Sequence, residues 1–320
     1  PQRAALAINR SIRLTPEGTA MSTHVPAHAS ATPAGPAPAR TAVRTAPVGS
    51  ASHPAGPGIQ GRQTLLRSVH SEWIKFWTLR STWITSFIAI ALTVLFGAGL
   101  TAVLGRTEEY QDTAKNLITQ GLTFGQVVVA VLGALIITGE YSSGQIRSSL
   151  AAAPRRGQLL VSKAVVLAIV SFLLGSLSVF LSWAISKPFI GEHAGSLTDS
   201  HYIGYIWGSG LVFAVIALMA LGLGFLMRST AGTITVIVSI LFIISGPLQL
   251  AASKWPWLFK IVGCLPGIVS EAVSDPFQLT TVWGTEGPQF LTHGQAIAVF
   301  AAWALVPLIA AWFVFSRRDA

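Results

Sequence analysis

GEYSSGQIRSSLAAAPRRGQLLVSK, Gly139 to Lys163, lies between two runs that are apolar and long enough to cross a bilayer, yet it carries Glu140, Arg147, Arg155, Arg156 and Lys163. A polar, basic connector of this kind belongs in water. Gly139 and Gly144 are expected to break the helix where the chain leaves the membrane, and Pro154 falls where a new helix can start, since a first turn does not need its missing N–H. The connector therefore reads as a short helix, a bend, and a second helix that returns to the membrane. Its cations place it on the cytoplasmic side by the positive-inside rule. The alternative is an ordinary basic loop that only sets topology.

Composition fits a membrane protein: 52% of the 320 residues are hydrophobic and 10% are charged, against about 25% charged in a soluble domain. The net charge of +9 comes from cations spread along the ends of apolar runs, a pattern of topology and not of a nucleic-acid face. Cys264 is the single cysteine, so no intrachain disulfide and no Cys/His zinc spacing is available. It reads as a packed thiol.

Residues 1–61 are rich in Ala, Pro, Ser and Thr with no sustained apolar run. Such a segment cannot offset its chain entropy by burial and is expected to be unstructured. No signal-peptide apolar core occurs in it. The first methionine is Met21, so residues 1–20 are compatible with upstream or added sequence.

Residues 62–80 change character. At about 100° per residue, Leu65, Leu66, Val69, Trp73, Phe76, Trp77 and Leu79 share one arc of about 160°, with Arg67, Ser71, Lys75 and Thr78 opposite. This predicts a helix lying in the membrane interface, Trp73 and Trp77 among the headgroups and Lys75 and Arg67 toward phosphates. Glu72, at the edge of the arc, calls for a partner. The competing reading is the frayed start of the first span.

Six apolar runs follow, near 81–104, 122–138, 164–186, 207–227, 231–250 and 296–315, each close to the roughly 20 residues a span needs. With six spans both ends share a side. The segments on that side hold eleven Lys and Arg, the opposite segments five together with eight of the twelve acidic residues. Both termini are therefore expected in the cytoplasm. The last outer segment, 251–295, contains WPWLFKIVGCLPGIVSEAV, apolar but interrupted by Pro256, Pro266 and Gly267. A pair of short helices dipping into the outer leaflet fits it, because irregular backbone at that depth needs protein or a cavity around it.

As drawn, the spans contain no ionisable residue, which argues against proton-coupled transport while leaving sodium coupling through backbone carbonyls open. Paired catalytic carboxylates, a His/Glu ligand set, a G-x-S-x-G turn and a P-loop are all missing. Glu192, His193, Asp199 and His201 read as solvated loop residues more readily than as a metal site. Any uphill movement must draw its energy from another subunit. The G-x-x-x-G pairs Gly121/Gly125 and Gly204/Gly208, with Gly222 and Gly224, indicate close helix packing, more often within a chain than between copies.

With these pieces in place the chain resembles the permease subunit of ABC-2 type ABC transporters, especially the small actinobacterial kind whose ATPase is encoded separately. SEWIKFWTLRSTW, Ser71 to Trp83, is similar to the family's interface helix running into the first span, carrying Glu72, Trp73, Lys75, Trp77 and Arg80. ITGEYSSGQIRSSLAAAPRRGQLLVSKA, Ile137 to Ala164, resembles its signature between spans two and three, with Glu140, Tyr141, Gly144, Arg147, Pro154, Arg155 and Lys163 on the recurrent positions. The plan of residues 62–318 agrees, and the tail before Gly61 lies outside the likeness. The implied fold is an all-α polytopic membrane protein, ABC-2 exporter-like, with six transmembrane helices (81–318) preceded by an amphipathic interfacial helix (62–80).

The resemblance implies a transport subunit of the inner membrane that is not itself an enzyme. It would pair with a second copy or a paralogous permease and receive a separate cytoplasmic ABC ATPase, which holds the ATP and magnesium; this chain binds no cofactor. A coupling segment within 139–163, from just after Tyr141 to about Ala153, would dock on the ATPase, with Gln145, Ile146 and Arg156 part of that connector. Glu140 would pair with Arg147 or with Lys75. Uncharged spans suit an exported lipophilic or amphipathic substrate such as an antibiotic, lipid or peptide. Trp83, Phe87, Trp183 and Trp207 are candidate contacts at the mouths of the path, although belt anchoring is the commoner role of tryptophan. An ion-coupled carrier and a non-transporting scaffold or sensor are the alternatives.

Overall fold

The computed structural model describes residues 64–107, 117–152, 156–191, 196–198, 200–275 and 291–317. All regular structure among them is helical. The tail 1–61, Pro154, Arg155, Glu192, His193, Asp199 and the side chain of His201 lie outside the described residues.

The interfacial helix is α1, Leu65–Thr78, capped by Thr64, whose hydroxyl accepts from the Arg67 N–H. One extended residue, Leu79, separates it from α2, Arg80–Leu104, so α1 is a helix of its own and not the frayed start of the span. Tryptophans brace the elbow: Trp83 Nε1 donates to the Trp77 carbonyl at 3.0 Å, and the two rings lie 4.7 Å apart. The face α1 turns inward carries Ser68, Glu72 and Phe76, spaced i, i+4, i+8 along one side of the helix. Leu66 and Trp77 remain exposed, as an apolar flank in contact with lipid requires.

The second span is α3, Leu122–Ser143, followed by α4, Gln145–Ala152, and the third span α5, Arg156–Ile190. The fourth is α6, Ser200–Met227. The fifth runs through α7, Thr230–Val238, a π-helical turn at Ser239–Ile243, and α8, Ser245–Ala252. Two short helices follow, α9, Leu258–Gly263, and α10, Pro266–Ser274, before the sixth span α11, His293–Arg317. Among the described residues, six helices are thus long and apolar enough to cross a membrane.

Two local expectations need correction. Gly139 does not break a helix, because α3 continues through it to Ser143; the break is at Gly144 alone, whose φ of 72° is left-handed, a conformation open to glycine at little cost. The third span begins at Arg156, well before residue 164. Its 35 residues extend about 52 Å at 1.5 Å per residue, well beyond a hydrocarbon core of about 30 Å. The π turn was also not foreseen. Pro247 in α8 has no N–H to offer the Ile243 carbonyl, and the chain widens just before it, with the Ile244 N–H bonding back to Ser239.

The centre of the bundle is α6, packed on α3, α5, α10 and α11. Tyr205, Phe213, Ile216, Met219 and Leu221 are completely buried along it. Close approach depends on small residues. A Cβ at Gly121 or Gly125 would overlap Thr93 of α2, and one at Gly222 would meet Pro307 and Leu308 of α11. These glycines therefore pack within the chain. Several hydroxyls in the spans are satisfied locally: Ser178, Ser182 and Ser186 each donate to the carbonyl four residues back. Among the candidate path contacts, Trp83, Phe87 and Trp207 are outward and exposed, while Trp183 is buried beneath the Lys187 ammonium, 5.1 Å from its ring.

Gly125→Leu should lower stability by about 1–3 kcal/mol through overpacking, read as a lower midpoint of thermal aggregation in detergent. Gly99→Ala, with nothing within 4 Å of the new methyl, should leave it unchanged or slightly raised.

Candidate functional site: a buried charge network beneath a short helix

Four charged side chains from three helices meet at the end of the bundle where α3 stops and α5 starts. Lys163 Nζ lies 2.8 Å from Glu72 Oε2 and 2.6 Å from Glu140 Oε1. Lys75 Nζ lies 3.0 Å from Glu72 Oε1 and 3.2 Å from the same Glu140 oxygen. The four form a closed, neutral ring. Lys163, Glu72 and Glu140 are 2%, 6% and 7% exposed, and the Lys75 side chain is 43% exposed at the rim.

Lys75 has a further partner. It donates to Ser149 Oγ of α4 at 3.1 Å. The short helix is thereby fastened to the ring, and its Ile146 and Ser149 are buried, Leu150 packing beside them. Gln145, Arg147, Ser148 and Ala151 point away into the open. The Gly144 turn makes this possible, because it lets α4 leave the line of α3 and lie beside α5 within reach of Lys75.

Neighbouring contacts collect the remaining cations at the same end. Arg156 Nη1 donates to the Phe315 carbonyl at 3.1 Å, in the last turn of α11 where unpaired carbonyls and the helix dipole favour a cation. Arg228, at φ 53° in the turn between α6 and α7, sits 5.1 Å over the Tyr141 ring. Thr230 donates to Thr138 at 2.7 Å in the same region.

The connector is therefore not a loop in water. Glu140 and Lys163 are inside protein, since the helices run past the spans drawn from hydropathy and carry both charges inward. Glu140 pairs with Lys75 and Lys163; Arg147 is on the exposed side of α4. Lys163 was singled out on the signature segment but not as a partner of Glu140, and that role appears once its side chain is seen to be buried between Glu72 and Glu140. Trp73 and Trp77 pack edge to face at 5.6 Å on the outer side of α1, and Arg80 is exposed beyond the elbow. Among the described residues no group of three or more His, Cys, Asp or Glu could hold a metal ion.

This arrangement occupies the core of a recognisable segment. Residues 68–246 match the family described as ABC-2 family transporter protein. The chain belongs to the ABC-2 transporter family. It is a multi-pass membrane permease, a transport component that is not itself catalytic. No curated protein matches it. The matched region takes in Glu72, Lys75, Glu140, Ser149 and Lys163, and so the entire ring of this permease.

Burial works against the Lys75 charge, but Glu72 and Glu140 outweigh it and raise its pKa above the ordinary lysine value. Stabilisation from a raised lysine is complete below the unfolded-state pKa and is lost only as pH climbs through the folded one. Between about pH 6 and 9 the unfolding midpoint should therefore be insensitive to this group.

Lys163→Met leaves two buried carboxylates short of a cation and should cost about 3–5 kcal/mol. Lys75→Met at the half-open rim should cost at most about 1 kcal/mol. The neutral pair Lys163→Met with Glu140→Gln should recover most of the first loss, since Glu72 and Lys75 still balance. Thermal unfolding in nanodiscs measures all three.

Proposed function

We propose that this permease is the membrane subunit of an ATP-driven exporter in the cell membrane. Both termini and the charge ring face the cytoplasm, where the basic segments gather. A separate ABC ATPase, holding ATP and magnesium, docks on the open face of α4 formed by Gln145, Arg147, Ser148 and Ala151. A second copy of the permease completes the translocation path. The fifth span is the least buried within the chain, at 11%, which favours it for that contact.

The observation that carries this reading is the construction of α4. An eight-residue helix is too short to be stable in isolation. Here it is held by two buried side chains and a lysine from the ring, while its other face presents a cation and small residues. A helix clamped in this way moves only together with α1, α3 and α5. Closure of an ATPase dimer would push α4, and the push would reach the spans as rigid-body displacement. The outward substrate is lipophilic or amphipathic, in keeping with spans whose charges are confined to their ends.

The ion-coupled carrier is less well supported. The embedded charges form a closed, paired ring at one end and not a relay along a path.

The test is copurification in lipid nanodiscs with the ATPase encoded beside this chain. Arg147→Glu should abolish retention of the ATPase, whereas Arg106→Glu at the opposite end should retain it. Equal retention in both variants would remove α4 as the docking site, and substrate movement driven by an ion gradient without any ATPase would replace the exporter with a carrier.

A further inference from the structure

At the end of the bundle away from the charge ring, a cavity of about 250 Å³ opens between the start of α3, the π turn and α8 of the fifth span, and α10. Its lining includes apolar side chains, Leu122, Val212, Ile268 and, from the π turn, Leu241 and Phe242. The rest is polar and carries more acceptors than donors. Glu271 and Asp275 are one helical turn apart on the α10 side, and among the described residues no lysine, arginine or histidine lines the space. Ser270 and Ser274 donate their hydroxyl hydrogens to the carbonyls of Gly267 and Glu271, so they offer the cavity only lone pairs. Gln126 on α3 is 4% exposed, and its Oε1 has no hydrogen-bond partner. A buried amide oxygen without a donor costs about 1–3 kcal/mol. The donors on the wall are the amides of Gln120, Gln126 and Gln249 and threonine hydroxyls, all of them neutral.

We propose that this cavity binds the ammonium head of an amphipathic amine, with the head between Glu271 and Gln126 and the apolar body against the π turn. It deepens the exporter reading, on which it rests for the word substrate, by naming the chemical class. A bare metal ion fits poorly: the space is several times the volume of a hydrated-water site, half its surround is hydrocarbon, and no cluster of three ligating side chains is present among the described residues. Glu271 stands exposed at the edge of the cavity, its neighbours desolvate the carboxyl enough to push its pKa up, and an ammonium against it would favour the ionised form again. The π turn supports the assignment, since such turns recur at functional sites. Here it coincides with the cavity wall, and Gly267 brings α10 against Leu241 so closely that any Cβ would overlap its carbonyl.

The test uses the permease alone in nanodiscs, titrated with dansylcadaverine, a fluorescent primary amine, and with its N-acetyl derivative. The amine should bind saturably and at least tenfold more tightly than the acetylated probe. Glu271→Gln and Gln126→Leu should each reduce that preference at least threefold while leaving the acetylated probe's affinity unchanged, which also shows the variants to be folded. Equal affinity for the two probes, unchanged preference in both variants, or displacement of the amine by millimolar magnesium or calcium would overturn the proposal. Because no ATPase is present, an amine site can fail while the α4 docking test succeeds, and the reverse.

Discussion

An ammonium with 2% exposure at the end of a membrane helix is tenable only when its charge is neutralised by groups that are themselves held in place. Lys163 meets that condition through Glu72 and Glu140, and the geometry of the permease's basic end follows from it. Glu72 must come from a helix lying across the bundle, which fixes α1 against α5. Glu140 must be on a helix that continues past its hydrophobic run, which fixes where α3 ends. Lys75 closes the ring and reaches Ser149, which fixes α4. Two lysines thus set the relation of four helices.

The rest of the bundle is suited to transmitting displacement and not absorbing it. The fourth span is enclosed by α3, α5 and α11, and its neighbours approach at glycines that leave no space for a methyl group. Packed cores of this density shift as bodies. The looser places are at the other end, where the fifth span widens into a π turn and the short helices α9 and α10 border a cavity. The described structure therefore has a stiff end that carries charge and a more open end that carries a polar pocket.

Much of this was legible in the sequence because hydropathy and cation placement act over long stretches. Six spans, the interfacial helix and the special status of residues 139–163 all follow from composition. Glu72 and Glu140 stood out as carboxylates in places where a carboxylate needs a partner. What periodicity could not reveal was where helices end. Gly139 looked like a breaker and is not, because neighbouring turns of α3 hold it. Lys163 was expected on the helix that starts near Pro154, but as a cation in water; it is a core residue, because that helix turns it onto Glu72 and Glu140. Side-chain orientation decides these cases, and it depends on tertiary packing. The Gln126 and Glu271 pocket was equally hidden, since its parts are separated by more than a hundred residues.

The central claim is that the ring holds α4 to the spans. Amide hydrogen exchange measured on Lys75→Met in nanodiscs addresses it directly, because Lys75 is the only ring member that touches α4 among the described contacts and its loss spares the buried Lys163 pairs. The account predicts that amides of Gln145–Ala152 exchange about threefold to fivefold faster than in the unaltered protein, as a loss of up to about 1 kcal/mol implies, with those of α6 unchanged. Protection of α4 that survives the substitution would mean that Ile146 and Leu150 alone hold the helix, and the ring would then be a feature of stability with no part in coupling.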